Sequence, residues 1–211
     1  MTSDPSSSRA HLGSALRQLG HDIVGHQADD QLLSEMAEAL TAFSQRLVQG
    51  EHRAREKQGF HEHWNTNIAE GEVVASWSDR PISGITSPWS VEPDVRRHGD
   101  GVQAKVTFGA AHEGAPERCH GGIVAALFDD ILGSVLAVIG QGAFTGELTI
   151  RYVAPVPLYR ELLCTCWIER RDGRKLYLSG ELTLEGQVLS RATSIFIQPR
   201  MAETQSTFEP E

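Results

Sequence analysis

The run from Cys119 through His120, Gly121 and Gly122 to Asp129 and Asp130 holds the residue types and spacing best suited to chemistry. Two glycines at the start of an apolar helix let backbone approach a ligand with no Cβ in the way. The free N–H groups of a helix N-terminus form a ready site for an anion or a developing oxyanion. Asp129 follows two turns later in an otherwise apolar stretch, where a carboxylate is costly unless partnered or functional. Periodicity alone leaves open whether Asp129 or Asp130 merely faces solvent.

The elements around this run are legible. IVAALFDDILGSVLAVI reads as a helix of four to five turns, apolar nearly all round and therefore buried on most sides. Before it, VQAKVTF alternates, with Val102, Ala104, Val106 and Phe108 on one side, and PWSVEPDV is a possible strand. After it come strand-like runs over Gly146 to Ala154, Glu161 to Arg171, Lys175 to Leu184 and Gln187 to Ile197. Asp172-Gly173 and Glu185-Gly186 are hairpin-turn dipeptides between the last three. One long apolar helix against one antiparallel sheet is an α+β arrangement, with the sheet wrapped around the helix.

Residues 1–28 are rich in Ser, Gly, His and Asp and read as a mobile tail. A helix is expected over 29–57, capped by Asp29 or Asp30, with an apolar stripe at Leu32, Leu33, Met36, Leu40, Phe43 and Leu47 that must be covered by the domain or a dimer mate. Residues 58–87 read as a linker or wrapping segment, 88–199 as the main domain and 200–211 as a C-terminal tail.

The 211 residues carry 28 acidic and 19 basic groups, a formal net charge of -9. That excess argues against a nucleic-acid binder, whose affinity would rest on Lys and Arg, and leaves room for a small anionic ligand on a local basic patch. No unbroken apolar run reaches the roughly 18 to 20 residues of a membrane span. Cys119, Cys164 and Cys166 form no disulfide framework; Cys164 and Cys166 share a strand face and are too poorly aimed for a bridge. A reducing, cytoplasmic setting is expected, and MTSDPSSSRAHLGS lacks the apolar region of a secretory signal.

The motif residues resemble those of the hotdog-fold acyl-CoA thioesterases, in the branch of the phenylacetate-pathway thioesterase and thioesterase superfamily member 4. That branch has a His-Gly-Gly turn, an Asp nine residues after the His, and a Thr or Ser sixteen residues beyond the Asp. This chain has His120-Gly121-Gly122, Asp129 and Thr145 at those spacings, with Pro155, Pro157 and Gly173-Arg174-Lys175 in register. The resemblance covers about Pro88 to Pro199 and implies a hotdog fold, to which the helix expected over 29–57 is an N-terminal extension.

By resemblance, Asp129 is the base or nucleophile and Thr145 hydrogen-bonds it or the water. A backbone N–H of Gly121 or Gly122 holds the oxyanion, and His120 orients the turn. The site is composite, the Asp of one subunit facing the Gly-Gly turn of the other in a homodimer or dimer of dimers. Arg151, Arg174 and Lys175 match positions near the CoA phosphates or pantetheine, and the segment through Leu176, Tyr177, Leu178 and Ser179 is expected to contact the pantetheine arm. Arg170 and Arg171 read as ordinary solvated hairpin charge. Gly114 stands where some relatives place an Asn near the reacting carbonyl.

The implied reaction is hydrolysis of an acyl-CoA thioester in lipid metabolism. It needs an attacking oxygen, a proton acceptor and an oxyanion stabiliser, and no metal or cofactor. His61 and His63, with His52 and Glu62 nearby, lack a third ligand at a recognised spacing. Cys119 reads as a packing residue, and His98 and His112 as loop histidines without an evident partner. Two other readings stand beside the hydrolase: a non-catalytic acyl-CoA or acyl-carrier binding protein of the same fold, and a hotdog dehydratase or hydratase. The D-x-x-x-x-H pattern of the last is missing after Asp129 and Asp130.

Overall fold

The computed structural model describes residues 8–53 and 67–200. Its core is one antiparallel sheet of six strands: β1 (Asp94–His98), β2 (Gly101–Thr107), β3 (Phe144–Tyr152), β4 (Glu161–Asp172), β5 (Lys175–Leu184) and β6 (Gln187–Ile197). They lie in the order β1-β2-β4-β5-β6-β3. The β4–β5 loop is Gly173-Arg174, with only the glycine at positive φ. In the β5–β6 loop both Glu185 and Gly186 have positive φ. Both are the two-residue turns whose twist matches that of the paired strands.

The sheet wraps α3 (Gly121–Val138). Leu127, Phe128, Ile131, Leu132 and Val135 are fully buried against Val102 and Ala104 of β2, Leu162, Cys164 and Cys166 of β4, Leu176, Leu178 and Leu182 of β5, and Ala192 and Phe196 of β6. Each such large side chain contributes about 1.5–3 kcal/mol by leaving water. Gly180 makes room for the packing: a Cβ there would lie 2.7 Å from Cys166 Sγ and 3.2 Å from the Phe128 ring. By length and composition α3 is long and apolar enough to cross a membrane, but most of it is covered by the sheet.

The chain before β1 departs from the sequence reading. In place of a mobile tail, residues 8–25 form a docked helix, α1 (Ser8–Gly25). Its contact face is Ala10, Gly13, Arg17 and His21, one residue each three or four positions, so the helical period is present but almost nothing in it is hydrophobic. Gly13 approaches the backbone of Thr86 so closely that a Cβ would lie 2.8 Å from its carbonyl carbon. Buried Arg17 donates to the carbonyls of Ile85 (3.1 Å) and Ser87 (2.6 Å) and pairs with Glu92.

Asp29 caps α2 (Asp30–Leu47), accepting from the Leu32 N–H at 2.8 Å, and the helix buries no side chain. It is shorter than expected; positions 54–57 lie outside the described residues. The described part of the 58–87 segment wraps rather than links. Ile68 and Val74 enter the core, and Val74 and Arg97 exchange backbone bonds with Val95 and Glu72, covering the outer edge of β1. PWSVEPDV is mostly a turn, with Ser87 and Ser90 hydroxyls accepting backbone N–H groups and Glu92 at φ 47°; the strand begins only at Asp94.

Candidate active site

His120 is the N-cap of α3. Its Nδ1 accepts the Gly122 N–H at 3.0 Å, while its own backbone N–H donates to the His112 carbonyl at 2.8 Å. An N-cap side chain of this kind satisfies one of the donors a helix start leaves free. The ring therefore carries its proton on Nε2 and orients the turn. Because Gly122 is already engaged, the Gly121 N–H is the donor of this turn with no hydrogen-bond partner among the described residues. Gly114 packs on the same turn: a Cβ there would lie 2.8 Å from His120 Cα, so an Asn does not fit without a shift of the loop.

Asp129 and Asp130 diverge as a helix requires. Asp129 is exposed on α3, and Thr145 Oγ1 donates to its Oδ1 at 2.8 Å. The meeting depends on a bulge. Thr145 pairs with Phe196 and Glu147 with Ile195, so Gly146 is an extra residue. One extra residue reverses the alternation of faces. Thr145 thereby joins Leu148, Ile150 and Tyr152 on the side facing α3. The bulge is tight: a Cβ at Gly146 would lie 2.7 Å from the end of the Ile197 side chain, which would have to move aside.

Asp130 is buried and pairs with Arg80 of the wrapping segment at 2.8 Å. Burial pushes its carboxyl up from the usual range, with Arg80 pulling it back. Of the two acids for which a solvent-facing position was left open, Asp129 is exposed and Asp130 is not. Sequence reasoning also missed Tyr152, whose hydroxyl donates to the Gly121 carbonyl at 2.6 Å and braces the turn from β3.

The residues expected around a nucleotide divide. Arg151 is exposed on β3, and Arg174 and Lys175 are exposed at the β4–β5 hairpin, where Arg174 donates to the Gln198 carbonyl at 3.0 Å. Leu176 and Leu178, however, are core residues facing α3. Their strand is interior, with both sides of its backbone ladder paired, so side chain and backbone are already committed. Tyr177 and Ser179 lie on the outer face with Glu147, Glu169 and Thr193 around a shallow depression. The Arg170 guanidinium stacks on Tyr177 at 3.4 Å, so this hairpin arginine is not simply solvated.

Burial pushes the Cys119 thiol up to about 12, leaving it a neutral packing residue. Cys164 and Cys166 are buried free thiols with Sγ atoms 3.8 Å apart. His98 stands 3.4 Å from Glu70. His112 is not a partnerless loop residue: its ring is buried against Phe108 and His21, with Nδ1 accepting the Gly109 N–H at 3.1 Å. His61, Glu62 and His63 lie outside the described residues, and no metal-holding cluster occurs among the described ones.

Residues 117–190 match the family model described as the thioesterase superfamily. Over 88 residues the chain is 34% identical to acyl-coenzyme A thioesterase THEM4 of Bos taurus, covering 41% of this chain and 36% of that protein. It is 30% identical over 88 residues to THEM4 of Xenopus laevis, covering 41% and 40%. The matched segment thus spans well under half the length of these curated relatives. A crystal structure described as a thioesterase superfamily protein aligns over 92% of this chain and 97% of its own, at 26% identity and a TM-score of 0.78. The fold is the hotdog fold, and the likeness to that structure takes in almost the whole chain.

Proposed function

We propose that this chain, whose residues 117–190 match the thioesterase superfamily, hydrolyses acyl-CoA thioesters to free acid and CoA. The observation that carries the reading is the exposed Asp129 carboxylate held by Thr145 at 2.8 Å. A carboxylate fixed on one oxygen presents the other to a water or directly to a thioester carbonyl. As base it takes the water's proton while the hydroxide adds to the carbonyl; the CoA thiolate then leaves and is protonated. As nucleophile it attacks the carbonyl itself, the CoA thiolate leaves and is protonated, and water then opens the resulting anhydride to the free acid and the Asp129 carboxylate. In either route the negative charge on the carbonyl oxygen goes to a helix N-terminal N–H.

Asp129 and Gly121 of one chain cannot serve one thioester. They lie eight residues apart on one helix, about 12 Å at 1.5 Å per residue. A second copy turning its α3 antiparallel to the first brings the Gly121 N–H of one to the Asp129 of the other. Two further features favour this pairing. The outer edge of β3 is an open sheet edge, and Phe144, Tyr152 and Val153 beside it are exposed. Such edges are ordinarily paired or covered. Arg151, Arg174 and Lys175 remain as cations for the nucleotide phosphates.

The reading is tested by thiol release from a panel of acyl-CoAs, with Asp129→Asn as the control. Turnover on at least one acyl-CoA that Asp129→Asn abolishes is expected. Binding of acyl-CoA without turnover on any member would favour the non-catalytic binding protein.

A further inference from the structure

The turn at the start of α3 is tied to α1 through a short 3-10 turn, Ala110–His112. One such turn makes too little structure to hold a position by itself. Two imidazoles fix it from either side. His21 of α1 accepts the Ala111 N–H on Nδ1 at 3.0 Å. His112 accepts the Gly109 N–H on its own Nδ1 at 3.1 Å, and the two rings meet edge to face with centroids 4.7 Å apart. Gly109 leaves room for the His21 ring: a Cβ there would lie 2.8 Å from its Nδ1. The His112 carbonyl then accepts the His120 N–H at 2.8 Å, and His120 Nδ1 accepts the Gly122 N–H at 3.0 Å. The Gly121 N–H stands between these two anchored residues, and they set its direction.

We infer that His21 is a positioning residue for the oxyanion site: through Ala111 and the His112 carbonyl, α1 aims the Gly121 N–H. The catalytic half of this inference rests on the thioesterase reading; the hydrogen-bonded link does not. An oxyanion donor is effective because it is already aimed when the charge develops. Displacement by about 1 Å, even from a change remote from the chemistry, is enough to cost about 10²-fold in rate. Gly13 and Arg17 dock α1 on residues 85–92, and His21 carries that docking to the loop before α3.

Steady-state hydrolysis and amide hydrogen exchange of the full-length chain test it. His21→Leu removes the acceptor. Its kcat should fall about tenfold or more with KM little changed, the mark of an interaction made in the transition state. The His120 amide, read by NMR, should exchange faster. His21→Asn places a carbonyl oxygen where histidine carries Nδ1 and should restore most of both. Gly109→Ala pushes the ring away without touching His120 and should resemble His21→Leu. The inference is overturned if His21→Leu keeps wild-type kcat and His120 exchange. It is equally overturned if His21→Asn fails as badly as His21→Leu, which would leave His21 a packing residue. A loss of kcat without faster His120 exchange would place the effect elsewhere and also overturn it. A wild-type chain that releases thiol from no acyl-CoA would instead overturn the thioesterase reading. His120 exchange in the three variants then still decides the link, and unchanged rates overturn it.

Discussion

Thr145 reaches Asp129 because Gly146 is an extra residue in β3; the 2.8 Å hydrogen bond between them is a product of the bulge as much as of either side chain. Asp129→Asn keeps the shape of the site but removes the basic and nucleophilic oxygen. Steady-state hydrolysis should fall by about 10² or more in kcat, the scale of a lost general base, with folding and CoA-analogue binding retained. Thr145→Ala removes only the support and should fall between wild type and Asp129→Asn. A fully active Asp129→Asn would remove Asp129 from the chemistry.

Asp130 should behave in the opposite way. Its carboxylate is buried against Arg80, and losing one partner of such a pair leaves the other charge uncompensated. Asp130→Asn should cost stability on the order of 3 kcal/mol, measured by urea or thermal unfolding. Turnover at low temperature should stay within a few-fold of wild type, because the side chain points into the wrapping segment. An unchanged unfolding midpoint would show that the pair contributes nothing net.

The His112 ring gives stability a pH dependence. Burial, with His21 adding to it, lowers its pKa from 6.5 to about 4. Between those values the unfolded chain takes up a proton that the folded chain refuses, so stability falls as pH falls from about 6.5 to about 4. His112→Gln cannot titrate, and its melting temperature should lose less over the same window. Parallel pH curves for the two proteins would place the acid sensitivity elsewhere.

Gly13→Val places a side chain against the Thr86 backbone and should undock α1, lowering the melting temperature. Half-buried Gly20, where an added Cβ would meet nothing, is the control: Gly20→Ala should be neutral or slightly stabilising. Deleting residues 1–28 should likewise destabilise, the reverse of what a mobile tail would give. Equal melting of Gly13→Val and wild type would show that the contact is dispensable.

If Arg174 and Lys175 meet the nucleotide, replacing both by Ala should raise KM for acyl-CoA with little change in kcat, the mark of lost uniform binding. Hydrolysis of an acyl-pantetheine should be nearly indifferent. Equal damage to both substrates would point instead to the Arg174 bond with the Gln198 carbonyl, which ties the hairpin to the end of β6.

The meander and α3 could be read from the chain because their signals are local. Alternation in β2 and β4, turn dipeptides at Gly173 and Gly186, and an unbroken apolar helix each occupy a few consecutive residues. Asp129 and Thr145 were found through a motif spacing, but the bulge that joins them leaves no mark beyond one glycine. The burial of Asp130 could not be read because its partner, Arg80, lies fifty residues earlier in a segment without periodicity. α1 was misread because glycine, arginine and histidine carry its contact face, and hydrophobic patterning is blind to them. Leu176 and Leu178 were taken toward a ligand because the resemblance names a segment, whereas the alternation of β5 sends every second residue inward.

The composition of that α1 face also bears on how the molecule comes apart. Denaturant slopes follow the surface newly exposed, and α1 is fastened by a close backbone approach, the Arg17 hydrogen bonds and the His21 acceptor to the Ala111 N–H. Its release would uncover little apolar area, so it should open with a shallow urea dependence, well before and distinct from the steep transition of the sheet around α3. Native-state hydrogen exchange across a urea series would then report α1 as a separate, low-slope unit of unfolding.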